Sequence, residues 1–375
     1  MKLVLAPDKF KGSLTGLEFC DAARKGISKI LPHAEIVYLP LADGGDGTIE
    51  VANYYLNGDL ITIEVKNPLF QNCSATYLYA SDSKIAFIEM AEASGLKLLK
   101  PTEYDCKNAT SYGTGQLIAD AITRGAKEII LGIGGSATND CGIGMAAALG
   151  FRFLDKKEVD VMPIGTSLSH IVTIDNSKVD NNLKEVRFKI ACDVTNPLYG
   201  QNGAAYVYAR QKGATDSDIE MLDKGLEDFS KILDAKFKTN CQEVAGAGAA
   251  GGMGIATKVF LNGELISGIT LMKDLAQFEK RIKNTDWIIT GEGKLDEQTF
   301  SGKTIHGVME VAKRHNIKVA AFCGKQDLDE NQLKEFGILY ADDVLSKAKH
   351  FQDAMDNSGD YLVKMAEQFA RSINK

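Results

Sequence analysis

At 375 residues the chain is longer than one hydrophobic core usually serves, so two domains are expected. Apolar residues make up 45% and charged residues 25%, and 43 Lys plus Arg against 50 Asp plus Glu leave a formal charge of −7. That composition suits a soluble globular protein and argues against nucleic acid or an anionic membrane as the main partner.

The first apolar run, KLVLAP (2–7), reads as a buried strand, and Thr15 with Glu18 reads as a capping box for the helix that continues LEFCDAARKGISKIL. Between them, APDKFKGSLTG (6–16) brings Asp8, Lys9 and Lys11 to a helix N-terminus. Ammonium groups and free N–H groups there make an anion site, with two solvated lysines in an ordinary turn as the alternative. IVYLPL (36–41) is the next strand and runs into LADGGDGT (41–48). Asp43 and Asp46 in that loop suit Mg²⁺, which takes one or two carboxylates, waters and substrate phosphates; turn and N-cap duty is the competing reading. TIEVANYYL then reads as a helix, completing a parallel α/β start.

The pattern changes with LITIEV (60–65), SATYLYA (74–80) and KIAFIEMA (84–91), close-set strands of an antiparallel or mixed sheet. TGQLIADAITRGA and KEIILGIGG resume the helix–strand alternation. In LGIGGSATNDCGIG (131–144), Gly132, Gly134 and Ala137 satisfy G-x-G-x-x-A, and Asp155 closes the run GFRFLD about twenty residues later, as in a dinucleotide fold. Here, however, polar TNDCGIG postpones the helix to MAAALG, and no constellation for hydride transfer stands out. The backbone of Gly132, Gly134 and Gly135, with Ser136 and Thr138, reads instead as a cradle for the phosphates of ATP.

RFKIACDV (187–194) is a buried strand that puts Asp193 at its C-terminal end, where open sheets place catalytic groups. Asn196, held extended before Pro197, can present its amide to a ligand. DSDIEMLDKGLEDFSKIL (216–233) is an amphipathic helix with Ser217 and Glu220 as its capping box. VAGAGAAGGMGIA (244–256) is either a phosphate or adenine wall or a place of close helix packing. DWIITGEG (286–293), a helix from GVMEVAKRH, KVAAFCG (318–324) and DDVLSK close the alternation. SGKT ends ITGEGKLDEQTFSGKT (289–304), but Glu297 stands where a P-loop needs glycine, so Lys294 and Lys303 remain as lone phosphate contacts.

The ends of the chain look alike and its middle differs. We expect an α/β protein of two domains, a Rossmann-like doubly wound parallel sheet on 1–62 plus 278–375 and an inserted mixed α/β domain on 63–277 carrying the glycine-rich loop. Seven scattered cysteines without a C-x-x-C pair suit reduced thiols in a cytoplasm, and five histidines lack metal-ligand spacing. MKLVLAPDKF is too short in apolar residues for a signal peptide, and no run approaches the ~20 residues that cross a bilayer. Loops rich in Asp, Lys and Gly recur, which is the set phosphoryl transfer needs.

APDKFKGSL, PLADGGDGT, TSYGTGQLI, LGIGGSATNDCGIGMAAALG, ACDVTNPL, QKGA, GAGAAGGMG and ITGEGKLDEQTFSGKT, in this order, closely resemble the bacterial type I glycerate kinases across nearly the whole chain. The resemblance implies ATP- and Mg²⁺-dependent phosphorylation of D-glycerate to 2-phosphoglycerate, by two α/β domains with the site in the cleft between them. Lys9 stands where many members have Ser, Cys141 where many have Gly and Ile305 where Pro is frequent; none of these bears on the reaction. Chemistry alone distributes the roles. Lys9 or Lys11 holds the glycerate carboxylate, with Asp8 and Asn196 alongside, and Asp43 or Asp46 helps hold Mg²⁺. Asp193 accepts the hydroxyl proton, and Lys294 or Lys303 neutralises the transferring group. A kinase of another small hydroxy acid, a non-catalytic metabolite sensor and an NAD-dependent dehydrogenase using 132–137 are the alternatives, and a homo-oligomer is compatible with the sequence.

Overall fold

The computed structural model describes residues 1–43, 48–300 and 304–374. Its strands are β1 (Lys2–Leu5), β2 (Glu35–Tyr38), β3 (Asp59–Lys66), β4 (Asn72–Ala80), β5 (Ile85–Glu89), β6 (Glu128–Gly132), β7 (Arg152–Leu154), β8 (Thr173–Asp175), β9 (Arg187–Ala191), β10 (Glu264–Ile266), β11 (Trp287–Leu295), β12 (Lys318–Gln326) and β13 (Ile338–Asp343). The chain forms two compact units: one of Met1–Asp43, Glu50–Tyr55 and Ile269–Lys375, the other chiefly Leu56–Gly268.

The first unit holds a five-stranded sheet in the order β13-β12-β11-β1-β2, with every pair parallel. Helices cover such a sheet on both faces, which is why its strands read as unbroken apolar runs: Leu3, Val4 and Leu5 are fully buried. The helix Gly16–Ser28 starts at the expected capping box of Thr15 and Glu18. It packs on the C-terminal helix Ser358–Ile373 through Gly26, where a Cβ would lie 2.2 Å from the Val363 carbonyl oxygen. Phe19, Phe322 and Phe369 fill the layer beneath, the last two edge-to-face at 5.7 Å. β1 leads to β2 on one side and β11 leads to β12 on the other, so the order reverses between β1 and β11. Ligands of doubly wound sheets bind outside the C-terminal ends of the strands at such a point.

The second unit holds a six-stranded mixed sheet in the order β10-β9-β6-β5-β4-β3. β3, β4 and β5 are antiparallel neighbours, and β5, β6, β9 and β10 run parallel, in register at Ile88–Leu131 and Leu131–Ile190. Apolar side chains of the helices Tyr112–Thr123 and Asp216–Phe237 bury this core.

Several expectations are corrected. A boundary after residue 62 would cut β3, whose residues 59–66 form one ladder with β4. The helix Asp216–Phe237 is capped by Thr215 with Asp218, not by Ser217 with Glu220. The last strand precedes most of DDVLSK, and the helix that follows has no counterpart in the sequence reading. β7 pairs antiparallel with β8 in a separate two-stranded sheet, so Asp155 sits in an exposed turn instead of at the end of a parallel neighbour of β6. The geometry that a dinucleotide fold needs for its acidic residue is therefore missing.

Candidate functional site

In the second unit the glycine-rich loop leaves β6 at Gly132 and enters the short helix Ile143–Ala148. Gly134 and Gly135 are exposed at the C-terminal edge of the sheet, whereas Ser136, Ala137, Thr138, Asn139 and Asp140 are buried. The segment after β5 clamps the loop: the Leu96 N–H donates to the Gly135 carbonyl (3.0 Å) and the Ala137 N–H to the Ser94 carbonyl (2.9 Å).

Asp140 is fully buried and organises the far end of the loop. It accepts from the Ser111 N–H (2.8 Å) and hydroxyl (2.7 Å), the Gly142 N–H (3.1 Å) and the Gly144 N–H (3.2 Å). Ser111 in turn accepts from the Met145 N–H (2.9 Å), so one carboxylate staples the starts of two helices. Burial pushes its carboxyl above the ordinary range, against the pull of those four donors.

Lys212, which the sequence reading left without a role, lies below the loop with 3% of its surface exposed. Its ammonium donates to Ser136 Oγ (2.7 Å) and to the Thr138 carbonyl (2.9 Å). Burial pulls its pKa down to about 8. Beside it, Thr138 Oγ1 and both amide atoms of Asn139 are buried without a hydrogen-bond partner among the described residues. VAGAGAAGGMGIA proves to be a packing surface for this loop: Gly251, at φ +73°, would put a Cβ 2.2 Å from the Thr138 carbonyl oxygen. Gly252 does the same against Cys141.

Asp193, exposed two residues beyond β9, accepts from the Gly268 N–H (2.9 Å). Asn196 spends its amide within its own segment, donating to the Asn202 carbonyl (2.9 Å) and accepting from the Tyr208 hydroxyl (2.6 Å).

In the first unit Asp8 follows β1 at the reversal point, its N–H donating to the Gly291 carbonyl of β11 (2.8 Å). Its carboxyl accepts from the Lys9 N–H (2.7 Å) and the Thr304 hydroxyl (2.5 Å). Burial, reinforced by the charge of Asp43, lifts it to about 6. Lys9 is half-buried and Lys11 exposed, in a loop closed by a Phe10–Leu14 bridge. The helix begins only at Gly16, five residues beyond Lys11, and its Glu18 N–H goes to the Thr15 hydroxyl, so the lysines do not stand at its first turn as expected. Glu292, nearly buried on β11, accepts from the Thr299 hydroxyl. Lys294 lies on the surface, paired with Asp296 (2.8 Å) and Asp327 (3.1 Å). Asp46 and Lys303 lie outside the described residues.

Among the described residues no group of three or more His, Cys, Asp or Glu is placed to hold a metal. Mg²⁺ asks for less, and the pair Asp8 and Asp43, close enough for one charge to raise the other, is a donor set that a divalent cation would relieve.

Three comparisons bear on these clusters. The sequence family described as the glycerate kinase family matches residues 3–374. The chain is 41% identical over 371 residues to the glycerate kinase of Halalkalibacterium halodurans, covering 99% of this chain and 97% of that protein. It is 39% identical over 373 residues to the glycerate 2-kinase of Escherichia coli K12, covering 100% and 98%. The crystal structure of a provisionally named glycerate kinase 2 from Salmonella typhimurium LT2 superposes with a TM-score of 0.91 at 39% identity, covering 100% of this chain and 98% of that one.

Proposed function

The chain belongs to the glycerate kinase family, and on that premise we propose that it transfers the γ-phosphoryl group of ATP to the 2-hydroxyl of D-glycerate. One observation carries the choice of a phosphate ligand: exposed Gly134 and Gly135 lie on a loop underlain by a buried ammonium that has no carboxylate partner among the described residues. Such a loop offers backbone donors and positive charge to oxyanions.

The roles follow from the residues. Gly132, Gly134, Gly135, Ser136 and Thr138 form the turn that receives the ATP phosphates. Lys9 and Lys11 supply positive charge for the glycerate carboxylate, and Asn196 braces the segment that carries Asp193. Asp193 takes the proton of the attacking hydroxyl as the oxygen bonds to the γ-phosphorus and ADP leaves. Asp8 is the second carboxyl suited to that proton, since burial holds it at about 6, near the pH of the reaction. Asp43 and Asp46 would hold Mg²⁺, which when bound neutralises charge on the phosphate oxygens. Lys303 would contact the transferring group, a role for which Lys294 competes only by leaving its two carboxylates.

The test is phosphorus NMR of the product formed from ATP, Mg²⁺ and D-glycerate. A 2-phosphoglycerate signal supports the reading, and the 3-phosphate overturns the regiochemistry. Turnover only with another hydroxy acid overturns the substrate. Thermal stabilisation by NADH and not by ATP would return the loop to the dinucleotide reading.

A further inference from the structure

Lys212 ends the short turn Arg210–Lys212, and Gly213 follows at φ +94°, pressed so tightly on residue 104 that a Cβ would lie 2.1 Å from the Tyr104 carbonyl oxygen. The turn therefore cannot swing its side chain out to water without breaking that contact. The two acceptors of the ammonium, Ser136 Oγ and the Thr138 carbonyl, are two residues apart on the loop leaving β6, so one side chain cross-links the bend. Both acceptors are neutral. A buried ammonium is ordinarily matched by a carboxylate, yet among the described residues none lies within ion-pair distance of this one, and one of its three N–H bonds stays unused. The buried Thr138 hydroxyl and Asn139 amide beside it also lack partners among the described residues.

We propose that Lys212 is the positive charge of the phosphate site, a positioning residue that braces the bend from beneath and draws the phosphate chain of a nucleotide onto Gly134 and Gly135, so that nucleotide binding is coupled to the protonation of Lys212. This rests on the ATP reading above. The groups facing Lys212 are few. The Cys106 thiol is pushed up to about 11 by burial and so stays neutral, and Asp140 is held as a hydrogen-bond acceptor. Asp105 and the Lys107–Asp218 ion pair lie beyond Cys106. With the empty protein titrating at about 8, nearby phosphate oxyanions restore the charged form. Binding thus takes up little proton near pH 7, about half a proton near pH 8 and nearly one near pH 9. The dissociation constant rises correspondingly, by about tenfold per pH unit above 8.

The experiment is calorimetric titration of the full chain with ADP and Mg²⁺ in two buffers of different ionisation enthalpy, at about pH 7, 8 and 9. Proton uptake rising over that range is the expected result, and its absence in a protein that binds ADP overturns the coupling. Lys212→Met is expected to abolish the uptake and weaken ADP about 10- to 100-fold while leaving adenosine binding unchanged. Wild-type affinity for ADP in that variant overturns the role. Should Lys212→Met fold poorly, Lys212→Arg, charged throughout this range, is expected to bind ADP with no proton uptake, and undiminished uptake would assign it to another group. Failure of the wild type to bind ADP at all would overturn the ATP reading itself. Turnover of ATP and D-glycerate without proton uptake would overturn the coupling alone.

Discussion

Asp140→Asn isolates the contribution of one carboxylate to the loop. In the native protein Oδ2 takes the Ser111 N–H, the Ser111 hydroxyl and the Gly144 N–H, and Oδ1 takes the Gly142 N–H. The asparagine oxygen can occupy the Oδ2 position and keep three donors, but its NH₂ then faces the Gly142 N–H, donor against donor. One bond becomes a conflict, and the other three fall from charge-assisted to neutral strength. At about 1–3 kcal/mol for an unmet buried donor and about half the strength for each weakened bond, the variant loses about 3 kcal/mol. Asp140→Ala strands all four donors and loses about 4–12 kcal/mol, which is comparable to the whole stability of an ordinary domain. Urea unfolding is the assay. Asp140→Asn should shift the midpoint with an unchanged slope and raise KM for ATP more than it lowers kcat, because the loop is displaced and the proton acceptor is not. A loss below about 1 kcal/mol would mean that the donors find other partners, and the staple reasoning would fail.

Three further outcomes are expected. Asp193→Asn should lower kcat about 10²- to 10⁴-fold with little change in KM or stability, as its carboxylate is exposed and an asparagine oxygen can still accept from the Gly268 N–H; an unchanged kcat leaves Asp8 as the proton acceptor. Gly251→Ala should cost about 2–5 kcal/mol, since left-handed strain adds to a Cβ 2.2 Å from the Thr138 carbonyl oxygen, whereas Gly337→Ala, which meets only the flexible end of Met309, should cost about 1–2 kcal/mol; equal losses in thermal unfolding would refute the packing account. Asp8, raised from 3.8 to about 6, stabilises the fold through its protonated form, a contribution complete below pH 4 and lost as pH rises through 6; Asp8→Asn should therefore gain about 3 kcal/mol on the wild type between pH 4 and 7, and a flat difference in urea unfolding would refute the burial argument.

The parallel sheet of the first unit was legible because each strand is a short unbroken apolar run ending in a turn, a pattern that burial on both faces imposes. The capping box at Thr15 and Glu18 was legible for the same local reason, since its two hydrogen bonds join residues three apart. At Ser217 and Glu220 the same rule misled, because Thr215 and Asp218 offer an equally good box two residues earlier. The last helix was invisible to a search for loops that carry chemistry, and its partner surface on Gly26 lies over 330 positions away in sequence. Asp8, Asp193 and the glycine loop were picked out as candidates because the ends of parallel strands are where such groups collect. Lys212 was not, since it belongs to a turn with no strand before it and reaches the loop from 74 and 76 residues away. Cys141 carried a signal that sequence alone could not value. It sits at φ +48°, in the left-handed region, which explains why glycine suits that position.

Residues that break local rules gather on loops at the C-terminal ends of the strands and on the turn that reaches one of them, and the breaks share a direction. Lys212 is driven down to about 8 and Asp8 up to about 6, each by burial, so each is brought within reach of neutral pH at the expense of folding. An apolar side chain of similar size would serve a core better at either position. Asn139 and Thr138 carry the same cost in uncharged form, with buried polar atoms that no group among the described residues meets. Four residues that weaken the empty fold, three of them within one small volume around a glycine-rich turn, are hard to explain as packing. The three around that turn are accounted for if an anionic ligand supplies the missing charge and hydrogen bonds when it binds, and Asp8 if a cation binds beside it.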